Sequence, residues 1–165
     1  MRLVLTLALT VMLPSAADAE GQWGISIWGV SYHVDRSVDY NEGNWGLGLR
    51  YYTRPDWKWL GRDDDNRIFL EVDALRNSNR GLVLPLSAGA EYRIWSLPGG
   101  CKLFAVAALT LAYYQYPAKT TTELKFGPVP GLAIGCGHLK SNVMAVLRKS
   151  SEPLAAVTAS MTIVF

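Results

Sequence analysis

Three side chains in this sequence combine a reactive type with a position at the end of an apolar run: His33, and the pair Asn77-Ser78. A serine hydroxyl is a weak nucleophile until a base takes its proton, and a neutral imidazole within hydrogen-bond reach is such a base. The chemistry open to that pair is attack on an acyl carbonyl. His33 and Ser78 are far apart in the chain, so the fold must bring them together. The plain alternative is that both are loop residues exposed to solvent. His138 has no second ligand nearby in sequence, so no metal site is expected, and nothing calls for a cofactor.

The elements that would position these residues are strands. Around His33, the stretch SYHVDRSVDYNEGNWGLGLRYY leaves a strand, crosses a polar loop and re-enters a strand. There Gly46 and Gly48 alternate with Trp45, Leu47 and Leu49. Period-two alternation gives a sheet one bulky apolar face and one face with room. Eight such runs can be marked between turn signals: 23–34, 45–53, 67–77, 82–95, 101–115, 129–138, 142–149 and 155–165. The expected fold is all-β, an eight-stranded antiparallel up-and-down transmembrane β-barrel, with loops 35–44, 78–81, 116–127 and 150–153 on the outward side.

Composition agrees with this. Half of the 165 residues are hydrophobic, with six Trp, eight Tyr and fifteen Gly, yet the apolar residues are spread through short alternating runs. No later segment is a continuous apolar stretch long enough for a transmembrane helix. At the start, Arg2, the apolar run 3–13 and Ala17-Asp18-Ala19 have the order of an export signal over 1–19, which leaves 20–165 as one barrel domain. A net charge of +2 gives no footing for nucleic acid. At the other end, Phe165, Ile163, Met161, Ala159 and Val157 share one face. This resembles the end signature read by the barrel-insertion machinery, an expected partner.

Assigning faces also predicts the lumen. A charge facing mid-bilayer lipid costs about 2–4 kcal/mol for Arg or Lys and less for Asp or Glu, so Arg50, Glu71, Asp73, Glu91 and Arg93 should point inward. Buried charges must be paired, and a structural network of these five residues is expected. The inward set Gly131, Ala133, Gly135 and Gly137 faces Ala156, Thr158, Ser160 and Thr162. Such a lightly lined sector implies either an acyl-chain slot or close packing against large residues such as Phe69 and Trp95. Pro128 and Pro130 lack ladder donors, which favours a gap in strand pairing for lateral lipid access. Cys101 and Cys136 fall near the ends of adjacent strands, and a disulfide staple is plausible. The acidic run Asp63-Asp64-Asp65 reads as a solvated face, and Lys119, Lys125, Arg148 and Lys149 as solvated charges that could also meet lipopolysaccharide phosphates.

His33, Tyr40-Asn41-Glu42, Trp45-Gly46 and Gly48 resemble the first hairpin of the lipid A palmitoyltransferases, in which a histidine precedes a YNE-x-P-WG-x-G segment. Arg76-Asn77-Ser78 is similar to that family's Lys-Asp-Ser. Pro128-Val129-Pro130 with Gly135 and Gly137 is similar to its proline-flanked opening in the barrel wall. The resemblance implies an outer-membrane enzyme that moves a palmitoyl chain from phospholipid to the lipid A part of lipopolysaccharide, with functional residues at His33 and Ser78. Two departures stand out. Asn77 replaces an aspartate and cannot carry the charge that would stabilise an imidazolium, and the family's leading amphipathic helix has no counterpart before the first strand. The YHVDR and YNE-x-N-WGLGL forms also resemble barrels of bacteria and their phages to which no reaction is assigned. Three readings follow: an acyltransferase, a non-enzymatic structural or surface-interaction barrel, and a lipid A deacylase in which water is the acceptor.

Overall fold

The computed structural model describes residues 21–35, 37, 39–54, 65–116, 121–147 and 154–165. The expected export signal, Asp63-Asp64, Lys119, Arg148, Lys149 and the 150–153 loop lie outside them. The strands are β1 (Gln22–His33), β2 (Gly46–Thr53), β3 (Arg67–Arg76), β4 (Leu82–Ser96), β5 (Lys102–Tyr116), β6 (Thr121–Cys136), β7 (Leu139–Leu147) and β8 (Leu154–Val164). Each pairs antiparallel with the next, and β8 returns to β1 from Gly24↔Val164 to His33↔Ala156, closing an eight-stranded barrel. The β1–β2, β3–β4, β5–β6 and β7–β8 connections gather at one end, here called the mouth. The first residues of β1 and the last of β8 lie at the other end, the base.

The alternation sorts residues as the bilayer argument demands. Leu47, Leu49, Val72, Leu86, Leu109, Leu132, Ile134, Val143, Met161 and Ile163 are exposed on the outer wall. Exposed aromatics flank them, with Tyr32, Trp45, Tyr113 and Phe126 toward the mouth and Tyr92, Trp95 and Phe165 toward the base. An apolar band between two aromatic girdles is the outer surface of a barrel that stands in lipid. Trp95 therefore does not fill the lumen. A register shift between Arg93 and Trp95 ends the inward phase of β4, leaving the indole outside.

Charge fills the lower lumen. Arg50, only 2% exposed, donates to Glu71 Oε2 at 2.6 Å and to Glu91 Oε1 and the Tyr52 hydroxyl at 3.1 Å. Its guanidinium lies 4.4 Å from the Phe69 ring centroid. Lys140 donates to the other Glu91 oxygen, and Ser26 Oγ to Glu71 Oε1 at 2.5 Å. Arg93, expected in this network, belongs to the base: it meets Asp65 at 2.9 Å, and Lys102 meets the same carboxylate at 2.5 Å. Lys140 takes the place expected for Arg93, reaching Glu91 on β4 across the lumen from β7. Asp65 is thus an ion-pair partner and not part of a merely solvated face. Burial alone would raise its carboxyl, but the Lys102 hydrogen bond and the charges of Lys102, Arg93 and Arg67 hold it below the ordinary carboxylate range.

Several boundaries differ from the expected runs, and β7 starts at Leu139 instead of 142. β6 starts at Thr121, earlier than the apolar pattern indicates, and pairs with β5 up to Tyr116↔Thr121. The added residues form a hairpin arm in which polar Thr121, Thr122 and Glu123 precede Leu124 and Phe126, both exposed on the outer side. Gly137 is outside the sheet, in the two-residue turn between Cys136 and Leu139, with φ +58°. At the base Cys101 and Cys136 are joined by a disulfide, with Cα atoms 4.3 Å apart.

Arg50→Ala would leave Glu71 and Glu91 buried without their main partner, and is expected to cost about 3–5 kcal/mol. Arg93→Ala, removing a third-exposed partner, should cost less than about 1 kcal/mol. Urea midpoints of the barrel folded in detergent check both. Reduction of the disulfide, which closes a 35-residue separation, should remove about 3–4 kcal/mol in the same assay.

Candidate functional site

The site begins with an irregularity in β1. Ser26 and Trp28 face the lumen, and strict alternation would send Val30 and Tyr32 after them. The register slips between Trp28↔Ser160 and Val30↔Ala159, so Gly29 is an extra residue, a β-bulge. A bulge reverses which side chains face in. Val30 and Tyr32 therefore stand on the outer wall, while Ser31 is buried and His33 lines the mouth.

The Tyr40–Asn44 segment then fastens the first loop around His33. The Tyr40 ring stacks on the imidazole at 4.3 Å between centroids. The His33 backbone N–H donates to Glu42 Oε1 at 3.2 Å, and Ser31 N–H to the Glu42 carbonyl at 2.8 Å. Asn44 Nδ2 donates to Ser31 Oγ at 2.6 Å. Asn41 N–H reaches the Ser78 carbonyl at 2.8 Å, tying this loop to the next.

In that second loop Asn77 sets a tight turn. Its Oδ1 accepts from Asn79 N–H and Gly81 N–H, both at 2.9 Å, and its Nδ2 donates to the carbonyls of Gln115 at 2.9 Å and Leu82 at 3.2 Å. An asparagine that bonds its own backbone a few residues on is a turn former. These partners are backbone groups of fixed polarity, so the orientation of the amide is settled. The turn leaves Ser78 Oγ at 2.8 Å from His33 Nε2. With the ring proton on Nδ1, the hydroxyl donates to Nε2, as required for a base to take the serine proton.

The structure therefore brings His33 and Ser78 together and sets Asn77 apart. Asn77 does not address the imidazole, and the role of the family's aspartate does not pass to it. An aspartate there would aim a carboxylate at two carbonyls. The sequence motif made Tyr40, Asn41 and Glu42 visible, but only the folded loop shows them holding His33 and Ser78. The Gly29 bulge has a signal in the sequence: the apolar phase moves from Ile25 and Ile27 to Val30 and Tyr32 across an isolated glycine.

Below the pair lies a cavity of about 480 Å³. Its walls are Leu75, Val83, Pro85, Ala108, Ala112, Val129, Met144 and Val146, and it ends on Arg50, Glu71 and Asp73. This volume is in the range of ligand pockets. The expected slot along β6 is elsewhere and is filled. A Cβ on Gly131 would stand 2.4 Å from the Met144 sulfur, Ala133 is 1% exposed, and Gly135 abuts Phe104 and Lys140. The small residues of β6 receive large side chains from β5 and β7, the close-packing alternative, although Phe104, Met144 and Lys140 supply it. With Gly137 in a turn, the apolar space is that of the mouth cavity.

Pro128 and Pro130 keep their pairing to β5, but β6 pairs with β7 only from Cys136↔Leu139 to Gly131↔Met144. Toward the mouth the two strands form no ladder. Val129, Val146 and Leu147 of the cavity wall lie along that seam. Lys125, on the β6 arm, sits over the Tyr114 and Tyr116 rings at 4.8 and 5.5 Å and pairs with Glu123 at 3.5 Å.

Asn77→Asp is expected to lose about 1–3 kcal/mol, since the buried side chain loses two part-buried donor bonds and turns a carboxylate toward the carbonyls of Leu82 and Gln115. The urea midpoint should fall while the barrel still forms. A midpoint equal to that of the unaltered protein would mean that the Asn77 bonds carry no weight.

Neither the protein-family models nor the curated proteins compared contain a match to this chain. Solved structures similar to it include Neisserial surface protein A, at 11% identity and a TM-score of 0.44, covering 88% of this chain and 98% of that one. The attachment invasion locus protein Ail of Yersinia pestis is similar at 15% identity and a TM-score of 0.41, with 88% and 99% covered. Ail in complex with the heparin analogue sucrose octasulfate gives 14% identity, a TM-score of 0.41 and the same coverage.

Proposed function

We propose that the protein is an outer-membrane acyltransferase-like barrel acting on membrane lipid at its outward mouth. The observation that carries this reading is the 2.8 Å contact between Ser78 Oγ and His33 Nε2 above an apolar-walled cavity. Ser78 attacks the ester carbonyl of a phospholipid, and His33 takes the hydroxyl proton and returns it to the departing lysophospholipid alkoxide. A second hydroxyl, from lipid A, then gives its proton to His33 as it attacks the acyl-Ser78 ester, and His33 passes that proton to the departing Ser78 Oγ. The acyl chain lies against Leu75, Val83, Val129 and Met144, and enters through the unpaired seam beside Pro128 and Pro130.

The site departs from the family pattern in ways that shape this reading. The position of the family's aspartate is held by Asn77, which serves the turn. Tyr40 stacking and the Glu42-bound backbone help to orient His33. Export by the 1–19 segment and passage through the barrel-insertion machinery would place the mouth at the cell surface, with phospholipid and lipopolysaccharide as partners.

A second reading rests on a different observation. Asn41 N–H to the Ser78 carbonyl, at 2.8 Å, and Asn41 Nδ2 to the Asn77 carbonyl, at 3.4 Å, join the same two loops. In that light the His33–Ser78 contact is one strut among several, and the barrel is a non-enzymatic surface or membrane-stabilising protein.

Mass spectrometry of lipid A from bacteria expressing the protein separates these readings. The account expects an added acyl chain that is absent with His33→Ala and with Ser78→Ala at matched folded levels. A lost chain would instead show a deacylase. Unchanged lipid A in every sample, with folded barrel in the membrane, would leave the strut reading.

A further inference from the structure

The cavity floor holds one more carboxylate than it has cations to match. Arg50 bonds Glu71 and Glu91, and Lys140 bonds Glu91. These two cations and two carboxylates complete one another. Asp73 stands one inward position above Glu71 on β3, toward the mouth, and lies outside the set. Its Oδ1 accepts from Trp28 Nε1 at 2.8 Å, while Oδ2 is buried with no hydrogen-bond partner. The residue is 3% exposed and lines the cavity.

The surroundings were shaped to admit this carboxylate. A Cβ on Gly48 would lie 1.8 Å from Asp73 Oδ1, so only glycine at that register position leaves the carboxylate its place. A buried acceptor without a donor is costly, and an unpaired buried charge more so. The missing complement is a donor, preferably cationic, delivered from the cavity. Above Asp73 the walls include Leu75, Val83, Ala108 and Met144, with the hydroxyls of Ser87, Thr110 and Thr158 in the same cavity, and the apolar side suits methylene groups. Among the described residues, no three His, Cys, Asp or Glu side chains gather as metal ligands.

We propose that the pit is a binding site for a linear aliphatic ammonium, with the ammonium on the Asp73 carboxylate and the chain running up the apolar wall toward the mouth. The site shares the walls Leu75, Val83 and Met144 with the proposed acyl path but makes no use of Ser78 or His33, and stands whether or not that pair is reactive. Trp28 holds the carboxylate in place, and the Arg50 network beneath supplies a closed polar floor. One chemistry has two sources here: a free alkylamine, or the primary ammonium of a phosphatidylethanolamine headgroup.

The test is calorimetric titration of the folded barrel in phosphatidylcholine nanodiscs with n-hexylamine, n-hexanol and hexanoate, corrected with empty discs. The amine should bind at least tenfold more tightly than the alcohol, with no measurable heat of binding from the carboxylate. Asp73→Asn, checked for folding by heat-modifiable gel mobility, should abolish the preference. Equal binding of amine and alcohol to the unaltered barrel would overturn the proposal whatever that variant does, as would an undiminished preference in folded Asp73→Asn. Repeating the titration with phosphatidylethanolamine in the discs assigns the source. A weakened apparent affinity for hexylamine places the natural ammonium on the lipid, and an unchanged one places it on a free amine.

Discussion

The Arg50 guanidinium is the group around which the lumen is arranged. It carries a full charge inside a barrel whose outer wall is hydrocarbon-facing, so it persists there only with Glu71, Glu91, Tyr52 and the Phe69 ring around it. Removing two unlike charges from water costs several kcal/mol per ion before their attraction repays it. The network is therefore better understood as architecture than as surplus stability. It decides where the lumen stops. Below it Tyr52, Phe104 and Val106 pack as an apolar core, and above it the same strands enclose open space.

That division sets the character of the mouth. A lumen filled to this depth is a blind pit and not a channel, and a ligand in it meets apolar walls with a polar end at each level. At the top, Asn41 N–H and Nδ2 tie the first loop to the Ser78 and Asn77 carbonyls of the second, while the Asn77 side chain bonds its own turn and the Gln115 carbonyl. Those bonds help to hold the serine and the imidazole at hydrogen-bond distance. Preorganisation of this kind is useful for catalysis, where reacting groups must be held in place, and equally useful for a rigid surface.

Much of this was legible in the sequence. Inward placement of Arg50, Glu71, Asp73 and Glu91 followed from the cost of charge in lipid, because period-two alternation leaves a strand only two faces. The partners of those charges were less readable: Lys140 replaced Arg93, since pairing across a lumen depends on which strands stand opposite, and this is a property of register. The approach of His33 to Ser78 was suggested by loops sharing one rim, and the bulge at Gly29 that turns His33 inward shows in the sequence only as a one-residue slip of the alternation. Gly131, Ala133 and Gly135 misled for a related reason. Small residues record that something large is close, and the sequence cannot say whether that is a ligand or Met144 and Phe104.

The account's central claim is that Ser78 is a nucleophile made reactive by His33, and the most direct measurement is its reaction with a fluorophosphonate probe. Outer-membrane vesicles carrying the folded protein would be treated with the probe, and the barrel digested and sequenced by mass spectrometry. The account predicts a covalent adduct on Ser78 that forms many times more slowly in His33→Ala. An unlabelled Ser78, or labelling at the same rate without the imidazole, would contradict it and leave the contact as a strut between two loops.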